Sequence, residues 1–211
     1  MHKYFIKTPW IAKKFFSSYV WSLSPDDNTV YLTFDDGPHP VVTPWVLDQL
    51  RKYDAKATFF CIGNNVEKYP DIFRQVLDEG HKIGNHTYHH LNGWKTDDKK
   101  YLDDVSKASS LIKTNLFRPP YGRIKNSQAK KIPDAMQASK AKIVMWDVLS
   151  ADFDDSISTE QCLNNVLQNV CSGSIIVFHD SQKAFTNLEH TLPKTLTSLI
   201  EGGFHLKSID L

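Results

Sequence analysis

Runs in which apolar and polar residues alternate recur along the chain, and stretches with helical spacing separate them. The first clear run, residues 30–34, reads Val-Tyr-Leu-Thr-Phe. It predicts a β-strand, because successive side chains of a strand face opposite sides of a sheet. Similar or mainly apolar runs predict further strands at residues 57–62, 81–84, 116–118, 142–146, 174–178 and 204–209.

Helices are predicted between these strands from apolar spacing and from residues that begin or end helices. Pro44 and Pro70 lie near two predicted starts, and Gly80 follows a predicted end. Residues 158–161 read Ser-Thr-Glu-Gln, a capping-box pattern. About seven strands alternating with helices predict an α/β protein with a parallel sheet, closed or nearly closed into a barrel.

The chain has 211 residues, which is enough for one α/β domain, and no repeat or linker divides it. Residues 1–28 differ from the rest because they are rich in aromatic residues and lysine. We predict an N-terminal arm at 1–28 that packs on a domain at 29–211. The uncharged run at 15–25 is too short to span a bilayer, and no signal-peptide cleavage pattern follows it. A cytoplasmic location is therefore the default expectation, with export left open.

Charge and cysteine content narrow the classes of partner. The formal net charge is +1, so there is no electrostatic reason to expect a nucleic acid or an acidic partner. The three cysteines, Cys61, Cys162 and Cys171, have no paired spacing and indicate neither a disulfide framework nor a cysteine metal site. We expect a monomer with no transmembrane segment.

Polar side chains suited to chemistry follow most of the predicted strands. They are Asp35, Asp36, His86, His89, His90, Arg118, Asp147, Asp152, His179 and Asp180. In a parallel barrel the carboxyl ends of all strands meet at one rim, which is where such folds build active sites. We expect these residues to converge there.

The first and third strands end with residues that could hold a metal ion. Asp35 and Asp36 are adjacent and point in different directions, so one could bind a cation while the other moves a proton. The alternative is an ordinary turn, for which Asp-Asp-Gly-Pro is also suitable. His86 and His90 are four residues apart, a spacing that on a helical turn places two imidazoles on one side. Two histidines and one carboxylate suit Zn²⁺ or another divalent transition metal, whereas solvated histidines are the alternative for any single one.

Four motifs resemble, in order, those of the polysaccharide deacetylases, the family-four carbohydrate esterases. They are Thr33-Phe34-Asp35-Asp36-Gly37, His86-Thr87-Tyr88-His89-His90, Arg118-Pro119-Pro120-Tyr121 and Phe178-His179. The family includes chitin, chitooligosaccharide and peptidoglycan N-deacetylases. The resemblance implies a distorted (β/α) barrel of about seven parallel strands with surrounding helices. It also implies a metal, usually zinc with cobalt as an alternative, that activates water against an acetyl group.

The first two motifs match the family's metal ligands and its catalytic base. The resemblance assigns Asp36, His86 and His90 as metal ligands and Asp35 as the catalytic base. His89 would be an additional imidazole, free to contact other ligating residues or the substrate.

The remaining motifs, together with Asp152, match residues that have four further catalytic roles in the family. Arg118 matches the arginine that orients the base, and its charge would also hold Asp35 ionised. Tyr121 matches the residue whose backbone N–H, with the metal, receives the oxyanion. His179 matches the general acid, and Asp152 matches the carboxylate that tunes it.

Two departures from the family pattern affect the apolar wall near the acid. The fourth motif usually reads Asp-x-x-Asp-Trp, whereas residues 149–153 read Leu-Ser-Ala-Asp-Phe, and Val177 replaces a leucine. Because Phe153 is smaller than tryptophan and lacks its N–H, we expect a looser wall with one donor fewer. Asp147 could supply a nearby carboxylate, or it could be an ordinary polar residue at a strand end.

The function implied by this resemblance is metal-dependent removal of acetyl groups from N-acetylated sugars of a chitin-like or peptidoglycan-like glycan. One alternative is an O-acetyl esterase that acts on xylan at the same site. The other is a carbohydrate-binding protein that has lost turnover. Trp94 and Tyr88 lie near the expected rim and suit stacking on sugars without separating these alternatives.

Overall fold

The computed structural model describes residues 4–25 and 27–211. Its strands are β1 (Thr29–Asp35), β2 (Thr58–Cys61), β3 (Lys82–Asn85), β4 (Leu116–Phe117), β5 (Lys142–Ile143), β6 (Val148–Leu149), β7 (Ile175–His179) and β8 (His205–Leu206). Its helices are α1 (Trp10–Phe15), α2 (Val42–Arg51), α3 (Gly63–Lys68), α4 (Pro70–Asp78), α5 (Asp98–Leu111), α6 (Asn126–Ala129), α7 (Ile132–Met136), α8 (Thr159–Leu167) and α9 (Phe185–Glu201). Within the described ranges every helix is too short or too polar to cross a bilayer.

The sheet is parallel and runs in the order β5-β4-β3-β2-β1-β7-β6, with β8 paired to the start of β1. Helices follow most of the strands and surround the curled sheet. The prediction of an α/β fold with a distorted barrel of about seven parallel strands is confirmed.

The register of the sheet explains why distant residues meet. Asp35 pairs with Phe60 of β2 on one side and with His179 of β7 on the other. Asn85, the residue before His86, pairs with Phe117, the residue before Arg118. The carboxyl ends of these strands therefore lie at one level, and the residues that follow them face the same opening.

Side chains on the two faces of β1 belong to different hydrophobic clusters. Val30, Leu32 and Phe34 are fully buried in the core cluster that includes residues of α2 and α9. Tyr31 packs in a second cluster with Phe60 of β2. Since side chains alternate along a strand, Thr33 and Asp35 lie on the same face as Tyr31 and bring polar groups into the barrel.

Residues 4–25 pack against both ends of the strand order. Val20 forms a bridge to Val144 just after β5, and Lys7 forms an antiparallel bridge to Val148 of β6. Backbone hydrogen bonds join Val20 N to Ile143 O at 2.8 Å and Leu149 N to Ile6 O at 2.8 Å. This segment therefore lies along the opening between β5 and β6.

Several element boundaries differ from the sequence predictions. The strand predicted at 142–146 contains only β5, which ends at Ile143, and β6 after it was not predicted. The chain passes from one end of the strand order to the other between β5 and β6. The last helix begins at Phe185 rather than at residue 192 and contains Pro193. Helices α1 and α3 were not predicted, since each has only six residues and little apolar periodicity.

Candidate active site

The end of β1 separates its two carboxylates. Asp35 is the last residue of the strand, and Asp36 has a φ of 83°, in the left-handed region. This turn sends the two side chains in different directions. A hydrogen bond stabilises this turn, since Asn65 Nδ2 donates to the Asp36 carbonyl at 2.7 Å. Asp180 also accepts from the Gly37 N–H at 3.0 Å and from the Thr43 hydroxyl at 2.6 Å.

Asp180 is a buried residue to which the sequence had assigned no role. Burial raises its pKa to about 8, and the charge of Asp36 adds to this effect, whereas the hydrogen bonds from Thr43 and Gly37 oppose it. A side chain at position 37 would meet Asp180, because an added Cβ would lie 2.0 Å from its Oδ2. Glycine at position 37 is therefore required for this close approach.

His86 and His90 meet Asp36 without a helix. The segment after β3 is an irregular turn in which Thr87 and His90 have φ values of 63° and 56°. The helical turn assumed from their spacing is therefore wrong, although the imidazoles converge. Their Nε2 atoms lie 3.7 Å (His86) and 3.2 Å (His90) from Asp36 Oδ1. His86 Nδ1 lies 2.7 Å from the Arg118 carbonyl, and donation to this oxygen leaves Nε2 as the free lone pair.

These three residues fit a divalent transition metal. One ligand atom from each of Asp36, His86 and His90 lies within 4.8 Å of the others. Asp36 Oδ1 is buried and has no hydrogen-bond partner among the described residues, which is costly unless another group satisfies it. Burial lowers the pKa of His86 to about 4, so its imidazole is neutral at pH 7. Burial raises the pKa of Asp36, but the close contact with His90 and the other imidazoles outweigh burial and hold it below its usual range.

His89 faces away from these ligands. Its Nδ1 lies 2.5 Å from Asp104 Oδ1, and Asp104 Oδ2 accepts from the backbone N–H groups of Tyr88 and His89 at 2.8 and 2.9 Å. One ring nitrogen of His89 is therefore engaged and helps to anchor the loop on α5, whereas contacts of its other nitrogen stay a prediction. Tyr88 is only 3% exposed and donates to Glu67, so it cannot stack on a sugar at the rim.

Arg118 fixes Asp35 from inside the barrel. The guanidinium is completely buried, and its Nη1 donates to Asp35 Oδ1 and to the Thr33 hydroxyl, both at 2.7 Å. Its other nitrogens donate to the carbonyls of Val144 and Met145 at 3.1 and 2.8 Å. All three nitrogens are therefore engaged, and the cation can orient only one carboxylate oxygen.

Asp152 and His179 form a second charged pair on the opposite side of the opening. Asp152 Oδ1 lies 2.7 Å from His179 Nδ1, and its Oδ2 accepts from the His179 backbone N–H at 2.7 Å. Burial lowers the pKa of His179, but Asp152, together with Asp36 and Asp35, outweighs burial and raises it to about 9. The imidazole is therefore protonated at neutral pH. The Phe153 ring lies edge-on to it, with centroids 5.1 Å apart.

Tyr121 lies beside the histidines in a short turn and is 59% exposed. Its φ is 60°, and its ring centroid is 4.6 Å from that of His90. Within the described part of the chain its N–H donates to no protein acceptor. An N–H in this state is available for an oxyanion.

A cleft of about 490 Å³ joins the two sides. Asp35, Asp36, His86, His90, Tyr121 and His179 line it. Buried Arg118 and Asp152 lie behind the lining and contact Asp35 and His179. The sequence analysis did not assign Tyr4, Arg123, Trp146 or Lys183 to the cleft, although all four line it. None belongs to a motif, and no local signal could have identified Tyr4.

Asp147 lies away from this cleft. Its carboxylate, 2% exposed, accepts from Ser174 at 2.6 Å and pairs with Lys7 and Lys13. The interpretation of Asp147 as a nearby catalytic carboxylate is wrong, because it lies before β6 whereas Asp152 lies after it.

Comparisons with known proteins agree with this geometry. The family model described as polysaccharide deacetylase matches residues 22–138. Two Bacillus cereus proteins, both named peptidoglycan-N-acetylglucosamine deacetylase, are 36% and 34% identical to the chain. The first alignment covers 82% of this chain and 64% of that protein, and the second covers 90% of each. The crystal structure of a peptidoglycan N-acetylglucosamine deacetylase matches with a TM-score of 0.84 and 33% identity, covering 96% of this chain and 95% of that one.

A parallel barrel that presents a fixed carboxylate and a protonated histidine across one cleft is of the (β/α)-barrel class and suits acid–base chemistry. The chain belongs to the polysaccharide deacetylase family, and the resemblance seen in its motifs is confirmed. Its enzyme class is accordingly that of the deacetylases.

Proposed function

We propose that this protein removes acetyl groups from N-acetylated sugars of a peptidoglycan-like or chitin-like glycan. The observation that carries the proposal is the placement of the Asp35–Arg118 and Asp152–His179 pairs on two sides of Asp36, His86 and His90. We further propose a monomer whose residues 29–211 form the catalytic domain. The names of the relatives favour peptidoglycan as the first substrate to test.

Asp36, His86 and His90 would hold the metal, with zinc the first candidate and cobalt the second. When bound, such an ion supplies Lewis acidity that polarises the acetyl carbonyl and acidifies water. The buried and unpartnered Asp36 Oδ1 is the feature of this chain that supports its binding.

Asp35 would act as the general base. Arg118 engages its Oδ1 at 2.7 Å, which leaves Oδ2 to take the proton of the attacking water. The N–H of Tyr121 would donate to the oxyanion as the carbonyl becomes tetrahedral.

His179 would act as the general acid. Asp152 holds Nδ1, so Nε2 is the nitrogen that delivers a proton. That proton goes to the amide nitrogen as its bond to the acyl carbon breaks, and acetate and a free amine result. A pKa of about 9 keeps this acid protonated at neutral pH.

An acetate-release screen tests the proposal. Metal-free protein is supplied with zinc or cobalt and incubated with peptidoglycan, chitooligosaccharides and acetylated xylan. We expect acetate from an N-acetylated glycan in the presence of metal. Release from xylan alone would support an O-acetyl esterase, and binding without release from any substrate would indicate a protein that has lost turnover.

A further inference from the structure

Tyr4 lines the catalytic cleft although it lies in the N-terminal segment, far from every motif. The cleft wall on the His179 side consists of Trp146, Leu149, Phe153 and Val177. Tyr4 is the residue of the described N-terminal segment, residues 4–25, that joins this wall.

The segment that carries Tyr4 is firmly attached beside the cleft. Its backbone pairs with the start of β6, because Leu149 N donates to Ile6 O at 2.8 Å and Thr8 N donates to Asp147 O at 2.9 Å. Buried Asp147 also pairs with Lys7. Loss of its partner would leave this buried carboxylate with an uncompensated charge, which is costly. Tyr4 is therefore presented from a fixed strand-like backbone.

Tyr4 contacts the loop that supports the general acid at two points. Its ring packs edge-on against Phe153 with centroids 5.5 Å apart, and its hydroxyl donates to Asp154. Phe153 in turn packs edge-on against His179. A continuous set of contacts thus joins the N-terminal segment to the acid.

The loop needs such external contacts because its own backbone is strained. Ala151, between Ser150 and Asp152, has a φ of 61°. A non-glycine residue in this region is strained, and it persists where surrounding contacts impose it. Tyr4 contacts Phe153 and Asp154, the two residues after Asp152 in the same loop, and it adds a ring and a donor beside the small Phe153. The loose wall expected from Phe153 alone is therefore filled from the other end of the chain.

We propose that Tyr4 is a positioning and specificity-determining residue: it holds residues 152–154 in place for His179 and closes the wall against which the acyl group lies. The part that concerns the acyl group rests on the proposed function. The part that concerns the loop does not.

Three variants separate these effects. Tyr4→Phe removes only the hydroxyl, and Tyr4→Ala removes the ring as well. Phe5→Ala is the matched control, because Phe5 is the adjacent aromatic residue and is 67% exposed.

Hydrogen exchange of the metal-free protein tests the loop. We expect amides of residues 151–156 to exchange about 5- to 10-fold faster in Tyr4→Phe, which corresponds to one lost hydrogen bond. Amides of β1 should keep their rates in all variants, which separates loop opening from general destabilisation. Unchanged loop rates in both Tyr4 variants, or an equal increase in Phe5→Ala, would overturn the positioning role.

Acyl selectivity tests the wall. The ratio of kcat/KM for N-acetyl and N-butyryl forms of the same glycan should move toward butyryl by about 10-fold in Tyr4→Ala. Tyr4→Phe should keep the wild-type ratio while kcat falls more than KM changes. An unchanged ratio in Tyr4→Ala would refute the specificity role. An inactive wild type would instead refute the proposed function, and the exchange experiment would still decide the role of Tyr4 in the loop.

Discussion

The cleft has two sides that are supported in different ways. The metal side comprises Asp35, Asp36, His86, His90 and Arg118, and the acid side comprises Asp152, Phe153, His179 and Tyr4. On the metal side, Asp35 ends β1 and the turn with the two histidines follows β3. The fully buried Arg118 follows β4 and donates to Asp35, so three strands of the continuous part of the sheet supply these groups. On the acid side, His179 also ends a strand, but Asp152 lies in a loop after β6. That loop is contacted by Tyr4, which is 150 positions away from its partner Asp154.

This difference suggests a division of tasks. A rigid sheet holds the groups whose geometry the chemistry requires, because small displacements there are costly in rate. The loop contributes Phe153 to the wall and the N-terminal segment contributes Tyr4. We expect changes at these two residues to alter which acyl group or sugar fits. The following changes test the division, from the largest expected effect to the smallest.

His86→Ala should disrupt the metal side most severely. It removes a neutral imidazole that converges on Asp36, so we expect loss of stoichiometric zinc and of hydrolysis. Elemental analysis after dialysis measures the metal. His190→Ala is the control, because His190 is 58% exposed on α9 and does not line the cleft. Full zinc occupancy in His86→Ala would show that other residues bind the metal.

Asp35→Asn should separate proton transfer from metal binding on the same side. The amide keeps the size of the side chain but cannot take a proton from water. We expect hydrolysis to fall by roughly 10²- to 10⁴-fold with metal content retained. The measurement is kcat at saturating metal together with elemental analysis. Near-normal activity would assign the base to another group.

Asp152→Asn should change the pH dependence of activity, because it alters the acid side of the cleft. Asp152 is the largest contributor that raises the pKa of His179 to about 9, so its loss lowers that pKa. Activity requires the protonated acid and declines as pH rises through this pKa, so the alkaline limb should move to lower pH. Asp155→Asn is the control, because Asp155 lies in the same loop but is exposed. If the alkaline limb of Asp152→Asn did not move, Asp152 would not be the residue that raises the pKa of the acid.

Phe153→Trp should have the smallest effect. The larger ring would press on Tyr4, and overpacking of this kind costs about 1–3 kcal/mol of stability. We expect the substrate ratio to change while the Asp152–His179 pairing and its pH limb persist. Thermal unfolding and the substrate screen measure both effects. If Tyr4→Ala combined with Phe153→Trp failed to recover the lost stability, the space around residue 153 would not be limited by Tyr4.

The local sequence determined the barrel and most of the residues that line its rim. Asp35, His86 and His179 each lie at or just after an apolar strand, and parallel strands end on the same side of a sheet. Their convergence therefore follows from local pattern and topology. The capping residue of α8, Ser158, and the start of α4 at Pro70 were likewise evident, because helix ends depend on nearby residues.

Contacts between residues that are far apart in the sequence could be identified only from the tertiary structure. Asp147 has the same residue type and strand-end context as a catalytic carboxylate, yet Lys7 and Lys13, more than 130 positions away, make it an anchor for the N-terminal segment. Tyr4 reaches the cleft only because that segment lies beside β6. The raised pKa of His179 depends on carboxylates from two other strand ends. Such effects are sums over groups that meet only in the folded chain, so no local window of sequence contains them.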